Sequence, residues 1–228
     1  MTTIATILLS YNRPRMLCEA LGTVQGCNQL IVTDDGSDFD VEALVSGCYP
    51  AAEFVTAPKM GLDERLVTPR LGSLINRALA LVECDVVTYL CDDDLFHPHW
   101  LMAVRWFFDH HPAEHWTRGA WYAFHEDDPE RKPERCKLDG RQLTTGNFAH
   151  RLACFREERI AWDETTVASH DNAFLWQAAR VHDMRLVPFC GAVAGWRRLH
   201  QHNALPYAAR DGYTEHAAKE LFARGFLE

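Results

Sequence analysis

Three adjacent carboxylates, Asp92, Asp93 and Asp94, have the clearest capacity for chemistry in this sequence. They come one residue after the apolar run 86–90, which predicts a buried strand. Neighbouring carboxylates repel one another, and a hard divalent cation placed between them relieves that repulsion. Mg²⁺ and Mn²⁺ take few protein carboxylates and complete their coordination with phosphate oxygens and water. A solvated acidic turn is the plain alternative, but the position at a strand end favours a metal–diphosphate site.

Three other polar positions could take part in chemistry, and each also has a plain structural interpretation. The run 34–38 follows the apolar run 30–33, so a carboxylate there either accepts from a ribose hydroxyl or a base N–H, or forms an Asx turn. Asp171 precedes an amphipathic stretch, where an acidic side chain either caps a helix or faces a cleft. His200 is one of 12 histidines, most of which are expected to be structural or exposed.

The elements that must position these residues alternate between strand and helix in the first half of the chain. Apolar runs predict strands at 4–9, 30–33, 53–55 and 86–90, and helical spacing of apolar residues predicts helices at 15–24, 41–45, 71–82 and 98–108. This alternation is typical of an α/β fold whose parallel strands are joined by crossover helices. Ligands of such sheets bind beyond the carboxyl ends of the strands. The polar clusters 10–13, 34–38 and 92–94 all fall at those ends.

The second half of the chain carries weaker signals. We predict strands at 121–124, 152–155 and 186–189, a helix at 172–181, and an exposed, charged loop at 127–135. The sequence contains neither an internal repeat nor a low-complexity segment. We therefore expect one compact domain over residues 1–228.

Composition narrows the classes of partner and compartment. The formal net charge is -9 without any Lys/Arg run, which disfavours a nucleic-acid partner. The eight cysteines form no CxxC pair, which argues against a zinc ribbon and indicates buried free thiols in a reducing compartment. A signal peptide and an apolar run of the ~20 residues that a membrane helix needs are both missing. We expect a cytoplasmic protein, at most peripheral to a membrane.

Taken together, the clusters resemble the family 2 glycosyltransferases of the GT-A fold, over about residues 3–202. Residues 6–14 look like the first strand and nucleotide-contacting turn of that family, and 31–38 look like its "VDDGSxD" segment. Residues 89–95, with Pro98 and Leu101, resemble "FLDDDDxxxPxxL", which contains the DxD motif. Further matches are Asn76 in the helix before the metal strand, 146–148 with 154–156 on the acceptor side, 162–164, 170–171 with 175–176, and 198–200.

The resemblance implies a fold and an activity. The fold is a nucleotide-sugar-binding α/β domain with a mostly parallel, twisted central sheet flanked by helices. Residues 1–110 would form its nucleotide- and metal-binding half, and 111–228 its acceptor half and C-terminal extension. The activity is that of an inverting glycosyltransferase, an enzyme that moves a sugar from a UDP-, GDP- or dTDP-sugar to a hydroxyl of a glycan, a lipid-linked or a small-molecule acceptor. Base, sugar and acceptor stay open.

The resemblance also assigns roles to individual residues. Asp171 would be the catalytic base. Mn²⁺ or Mg²⁺ would be held by Asp92 and Asp94, with Asp93 as the alternative ligand and His200 approaching the metal or the diphosphate. The residues implied for nucleotide binding are Ser10, Tyr11, Asn12, Arg13, Asp34, Asn76, Asp92 and Asp93.

Three departures from the family pattern keep other functions open. Cys91 replaces the first acid of the longer Asp run but leaves the DxD motif intact, His170 replaces a Glu, and Ile75 replaces an Arg. One alternative is a non-catalytic nucleotide-sugar-binding or scaffold protein of the same fold. A phosphohydrolase with an Asp triad ranks lower, because the haloacid-dehalogenase type places its DxD after the first strand.

Overall fold

The structure is a computed structural model, and it describes residues 1–65, 67–126, 132–135, 145–165, 174, 177–183 and 187–199. Its strands are β1 (Ile4–Ser10), β2 (Gln29–Asp34), β3 (Glu53–Thr56), β4 (Val86–Cys91), β5 (Leu95–Phe96), β6 (Trp116–His125), β7 (Glu134–Arg135), β8 (Phe148–Arg151) and β9 (Phe189–Leu199). Its helices are α1 (Pro14–Leu21), α2 (Val41–Ser46), α3 (Leu62–Arg65), α4 (Leu71–Leu81), α5 (Trp100–His110) and α6 (Ala153–Arg156).

The described strands form a single mixed sheet in the order β3-β2-β1-β4-β8-β6-β9-β5, with β7 paired to β6. The first four strands are all parallel, with Ile7 opposite Ile31 on one side and Tyr89 on the other. The fifth, β8, is antiparallel to both β4 and β6, and β9 is parallel to β6. The predicted α/β class with a mostly parallel central sheet and flanking helices is confirmed.

Helices cover both faces of the sheet because the parallel strands are apolar on both faces. Every residue of β1 is buried. On one face α4 buries Leu74, Ile75, Ala78 and Leu79 against the strands. On the other face lie α1 and α5, and α1 begins at Pro14, whose fixed φ suits the first turn of a helix. The carboxyl ends of β1, β2 and β4 are thereby left at one open edge.

The first-half predictions are confirmed to within a few residues at the element ends, but three second-half predictions are wrong. Residues 152–155 form most of helix α6 instead of a strand, because β8 ends at Arg151 and the Arg156 N–H donates to the Leu152 carbonyl. Leu and Ala also favour a helix. The predicted loop 127–135 is wrong at its end, where residues 134–135 form the short strand β7 paired with β6, and residues 127–131 lie outside the described residues. The late strand begins at Phe189 and runs ten residues further than predicted, through glycines that weaken the strand signal.

The remaining second-half predictions are only partly testable. The strand predicted at 121–124 lies inside the longer β6. Residues 174 and 177–179 of the helix predicted at 172–181 are helical, and the rest of that helix up to residue 176 lies outside the described residues.

Candidate active site

The carboxyl ends of β1 and β4 meet at a cavity of about 330 Å³. Leu9 pairs with Cys91 in the parallel register, and the Asp92 N–H donates to the Leu9 carbonyl at 2.8 Å. The turn after β1 and the acidic triplet after β4 are therefore direct neighbours. The residues that line the cavity are Leu9, Ser10, Tyr11, Arg13, Asp35, Arg65, Leu71, Cys91, Asp92, Asp93, Asp94, Trp121, Thr145 and Arg197.

Asp92 orders the turn that follows β1. Its side chain is almost fully buried, and its two oxygens accept from the Tyr11 N–H at 2.7 Å and from the Arg13 guanidinium at 2.8 Å. Burial raises the pKa of Asp92 to about 6, against the opposing effect of the Arg13 charge. Asp92 therefore positions Tyr11 and Arg13, and its role as a metal ligand stays a prediction.

Asp93 and Asp94 carry the geometry that suits a cation. Their carboxylates and the Cys91 thiol offer ligand atoms that all lie within 4.8 Å of one another. Asp94 is buried, and burial together with the Asp93 charge raises its pKa well above the ordinary value. Arg13 lies 3.4 Å from Asp93 and compensates part of this negative charge. Two close, buried carboxylates are the hard oxygen ligands that Mg²⁺ and Mn²⁺ prefer, so these residues fit the implied metal.

The second strand end contributes Asp35 to the cavity, whereas Asp34 closes a turn. Asp34 accepts from the Ser37 N–H, three residues along the chain, at 2.9 Å, so its side chain closes this turn. Asp35 pairs with Arg65 and lies 2.5 Å from the Nε of Arg70. Sequence reasoning did not single out Asp35 or Arg65, which line the cavity, or Arg70, which pairs with Asp35. The adjacent Asp in the DDGSD run was the available signal for Asp35, but nothing in the local sequence marks the two arginines.

Tyr11 presents its ring to the cavity beneath an arginine. The guanidinium carbon of Arg65 lies 3.5 Å from the centre of the Tyr11 ring, within the range of a cation–π interaction. A stacked Tyr–Arg pair beside a cavity offers a flat surface and a positive charge. Such a pair suits a planar base or a phosphate.

The other predicted nucleotide residues differ in their relation to the cavity. Ser10 lines it, and the Ser10 hydroxyl has no hydrogen-bond partner among the described residues. Asn12 holds the two turns together through its side chain, which bonds Asp38 at 3.0 Å and 2.6 Å. Asn76 is not among the lining residues. Its side chain instead bonds the backbone N–H and carbonyl of Trp162, at 2.8 Å and 2.9 Å, and so ties α4 to the second half of the chain.

Arg198 connects β9 to the acidic triplet 92–94. Its backbone N–H donates to Asp94 at 3.1 Å, and its Nε donates to the Asp93 carbonyl at 3.2 Å. The guanidinium, which is almost fully buried, also pairs with Glu126 and Glu19. The resemblance placed Arg198 in the late "RxH" match without giving it a role. Its contacts hold Asp93 and Asp94 in place.

Three predicted positions lie outside the described residues: Asp171, the proposed base; His170 before it; and His200, the proposed metal neighbour. Their roles stay predictions. The described cavity therefore contains the predicted residues Ser10, Tyr11, Arg13, Asp92, Asp93 and Asp94.

Comparisons with known proteins agree with this fold. No family model matches the chain. Protein CgeD of Bacillus subtilis is 29% identical over 126 residues, a match that covers 48% of this chain and 27% of CgeD. Residues 1–349 of S. aureus TarS, in complex with UDP-GlcNAc, superpose with a TM-score of 0.68 at 15% identity, covering 90% of this chain and 60% of that one. A longer TarS structure is covered to only 37% of its length.

A second similar structure contains a metal ion and a nucleotide sugar. Glucosyl-3-phosphoglycerate synthase of Mycobacterium tuberculosis, in complex with Mn²⁺, UDP-glucose and phosphoglyceric acid, matches with a TM-score of 0.65 at 16% identity over 100% of this chain and 81% of that one. These likenesses show the fold: the chain has the GT-A fold that its motifs predicted. No helix in the described part of the chain is both long and apolar enough to span a membrane.

Proposed function

We propose that the chain is a metal-dependent, inverting glycosyltransferase that moves a sugar from a nucleoside-diphosphate sugar to an acceptor hydroxyl. The observation that carries the proposal is the pair of close, buried carboxylates, Asp93 and Asp94, facing one cavity with Arg13 at the carboxyl ends of β1 and β4. Ligands of open α/β sheets bind at that edge. The nucleotide-sugar complexes of TarS and of the synthase, which share the fold, support the same use of it.

The nucleotide would occupy the part of the cavity formed by the turn after β1. Tyr11 and Arg65 provide a stacked surface for the base, and Arg13 provides a positive charge for the diphosphate. The Ser10 hydroxyl would donate to the ligand. UDP occurs in the similar structures, so a uridine nucleotide is the first candidate, ahead of GDP and dTDP.

Asn12, Asp34 and Asn76 would act on the nucleotide indirectly. Asn12 and Asp34 bond within the turns next to the cavity, and Asn76 bonds the backbone of Trp162, so each would act through the segment that it fixes. We retain them as nucleotide-site residues in this positioning sense.

The metal, Mn²⁺ or Mg²⁺, would be held by Asp94 with Asp93 as its partner. The contacts of Asp92 with Tyr11 and Arg13 favour Asp93 over Asp92 as the second carboxylate ligand. His200 would approach the metal or diphosphate, as the resemblance implies. When bound, the metal would stabilise the negative charge that grows on the leaving diphosphate.

The remaining step is removal of the proton from the acceptor hydroxyl. The resemblance assigns this role to Asp171, whose carboxylate would accept the proton as the hydroxyl oxygen bonds the sugar carbon. A positioned base contributes about 10²–10⁴-fold to the rate of such a step. A glycan, a lipid-linked glycan or a small molecule would serve as acceptor.

The binding half of this proposal is tested by calorimetric titration of UDP, GDP and dTDP with and without Mn²⁺. Asp94→Asn keeps an oxygen for the Arg198 N–H but removes the charge, so the gain in affinity from Mn²⁺ should disappear. Glu83→Gln removes the same charge from an exposed residue, and that variant should bind like the wild type. If Asp94→Asn and Asp93→Asn both retain the full effect of Mn²⁺, the metal assignment is wrong.

A further inference from the structure

A second group of metal-ligating side chains lies outside the cavity. His115, Cys154, Glu158 and His182 each offer one ligand atom, and these four atoms all lie within 4.8 Å of one another. Cys154 is fully buried, while the side chains of His115, Glu158 and His182 are 39%, 21% and 19% exposed. The proposed transfer reaction uses none of these residues.

Three separations within this group bracket those of a tetrahedral metal site. Cys154 Sγ lies 3.8 Å from His115 Nδ1, which in turn lies 3.1 Å from Glu158 Oε1. His182 Nε2 lies 2.6 Å from the other oxygen of Glu158. Metal–ligand bonds of about 2.0–2.3 Å at tetrahedral angles place the ligand atoms about 3.3–3.7 Å apart. Small side-chain movements would bring the group to that geometry.

Three separate segments converge to form the group. Cys154 and Glu158 are four residues apart on the turn of α6 and its continuation, where the Glu157 N–H donates to the Ala153 carbonyl, so they share one face. His115 is held at the start of β6 by a 2.9 Å bond from the Arg151 N–H to its carbonyl. His182 ends a helical turn, in which its N–H donates a hydrogen bond to the Ala178 carbonyl at 2.8 Å.

The group lies at the opposite end of the sheet from the cavity. Arg151 pairs with Val86, the first residue of β4, and the Leu152 N–H donates to the Asp85 carbonyl. The acidic triplet follows the last residue of β4, so the two places are separated by about 20 Å at the rise of a β-strand. The four residues are therefore separate from those that line the cavity.

We propose that His115, Cys154, Glu158 and His182 form a structural zinc site. Two imidazoles, one thiolate and one carboxylate are zinc ligands, and this set is softer than the oxygen ligands that Mg²⁺ and Mn²⁺ prefer. Four protein ligands fill a tetrahedral ion and leave no position for a substrate, as in structural sites. The ion would tie α6 to the start of β6 and to the segment that ends at His182.

The test begins with the metal content of the untagged chain, purified without chelator and dialysed against metal-free buffer. Elemental analysis should find about one zinc per chain, as expected of a closed structural site. Replacing zinc by Co²⁺ should produce the near-ultraviolet absorption of a thiolate–cobalt bond. This absorption should disappear in Cys154→Ser and persist in Cys48→Ser, whose thiol is exposed and belongs to neither group of ligand atoms.

A second variant keeps the test decisive if Cys154→Ser fails to fold. His115→Gln changes a partly exposed ligand, and zinc affinity should fall by about 100-fold or more. Even substitution of residues that only hydrogen-bond to metal ligands lowers the affinity for the metal about 10–100-fold. His99→Gln, at an exposed histidine, should retain wild-type affinity. Zinc absent from the wild type, or equal zinc binding in wild type and His115→Gln, would show that the four side chains form a hydrogen-bonded network only.

Discussion

His150 is completely buried beside the central strand β4, and its surroundings require a neutral ring. Its Nε2 lies 2.8 Å from the Tyr89 hydroxyl, and its Nδ1 lies 2.8 Å from the Arg151 carbonyl. The neutral tautomer that satisfies both donates from Nδ1 to the carbonyl and accepts at Nε2 from the hydroxyl. Burial lowers the pKa of His150 from 6.5 to about 4.

This lowered pKa makes the free energy of unfolding depend on pH. Between pH 4 and pH 6.5 the unfolded chain binds a proton at His150 and the folded chain does not. The buried, neutral His150 ring therefore makes its full contribution to the free energy of unfolding above pH 6.5. That contribution is lost as the pH falls towards 4. At about 1.4 kcal/mol for each pH unit, the loss across this window is about 3 kcal/mol.

The assay is urea unfolding across that window, with EDTA present so that no metal contributes. His150→Gln is the test variant because glutamine does not titrate, and His99→Gln is the exposed control. The stability of the wild type relative to His150→Gln should decrease by about 3 kcal/mol from pH 6.5 to pH 4. The difference between the wild type and His99→Gln should stay small. A wild-type advantage over His150→Gln that is constant with pH would refute the argument.

Two further substitutions probe the surroundings of the cavity, one at Gly195 beside the lining residue Trp121 and one at the lining residue Arg65. A Cβ at Gly195 would lie 2.0 Å from the Leu95 carbonyl, so Gly195→Ala should cost at least about 1–3 kcal/mol in urea unfolding and weaken nucleotide binding. Gly61→Ala is the control, since no described atom lies within 4 Å of its Cβ, and it should leave both quantities nearly unchanged. Arg65→Gln removes the charge stacked on Tyr11 and should weaken UDP binding about tenfold in calorimetry, as expected for a charged hydrogen bond. Unchanged affinity would place Arg65 outside the nucleotide site.

The first half of the fold could be predicted because its signals are local. Strands buried on both faces appear as continuous apolar runs, and the helices between them show regular apolar spacing. Parallel pairing then brings the strand ends to one edge, which is why the cluster 10–13 and the acidic triplet 92–94 could be placed together. The same reasoning located Asp92, Asp93 and Asp94 but not the division of roles among them. The division that we propose rests on the contacts of Asp92 with the turn after β1, which join residues 81 and 79 positions apart.

The parts that could not be predicted depend on contacts between distant residues. Arg198 pairs with Glu19 across 179 positions, and no local pattern marks such a pair. Helix α6 and β9 were misassigned because 152–155 is a short apolar run, which fits either element, and because glycines interrupt β9. The zinc ligands likewise come from three segments without a metal-binding spacing in the sequence.

The central claim of sugar transfer is tested most directly by release of nucleoside diphosphate from UDP-, GDP- and dTDP-sugars, measured for the wild type and Asp171→Asn. We expect release from at least one donor, dependent on Mn²⁺ or Mg²⁺. In Asp171→Asn that rate should fall by about 100-fold or more, while the donor dissociation constant stays close to that of the wild type. A wild-type chain that binds a donor tightly but releases nothing in the presence of a range of acceptors would contradict the account and indicate a binding protein. A near wild-type rate in Asp171→Asn would contradict the proposed base.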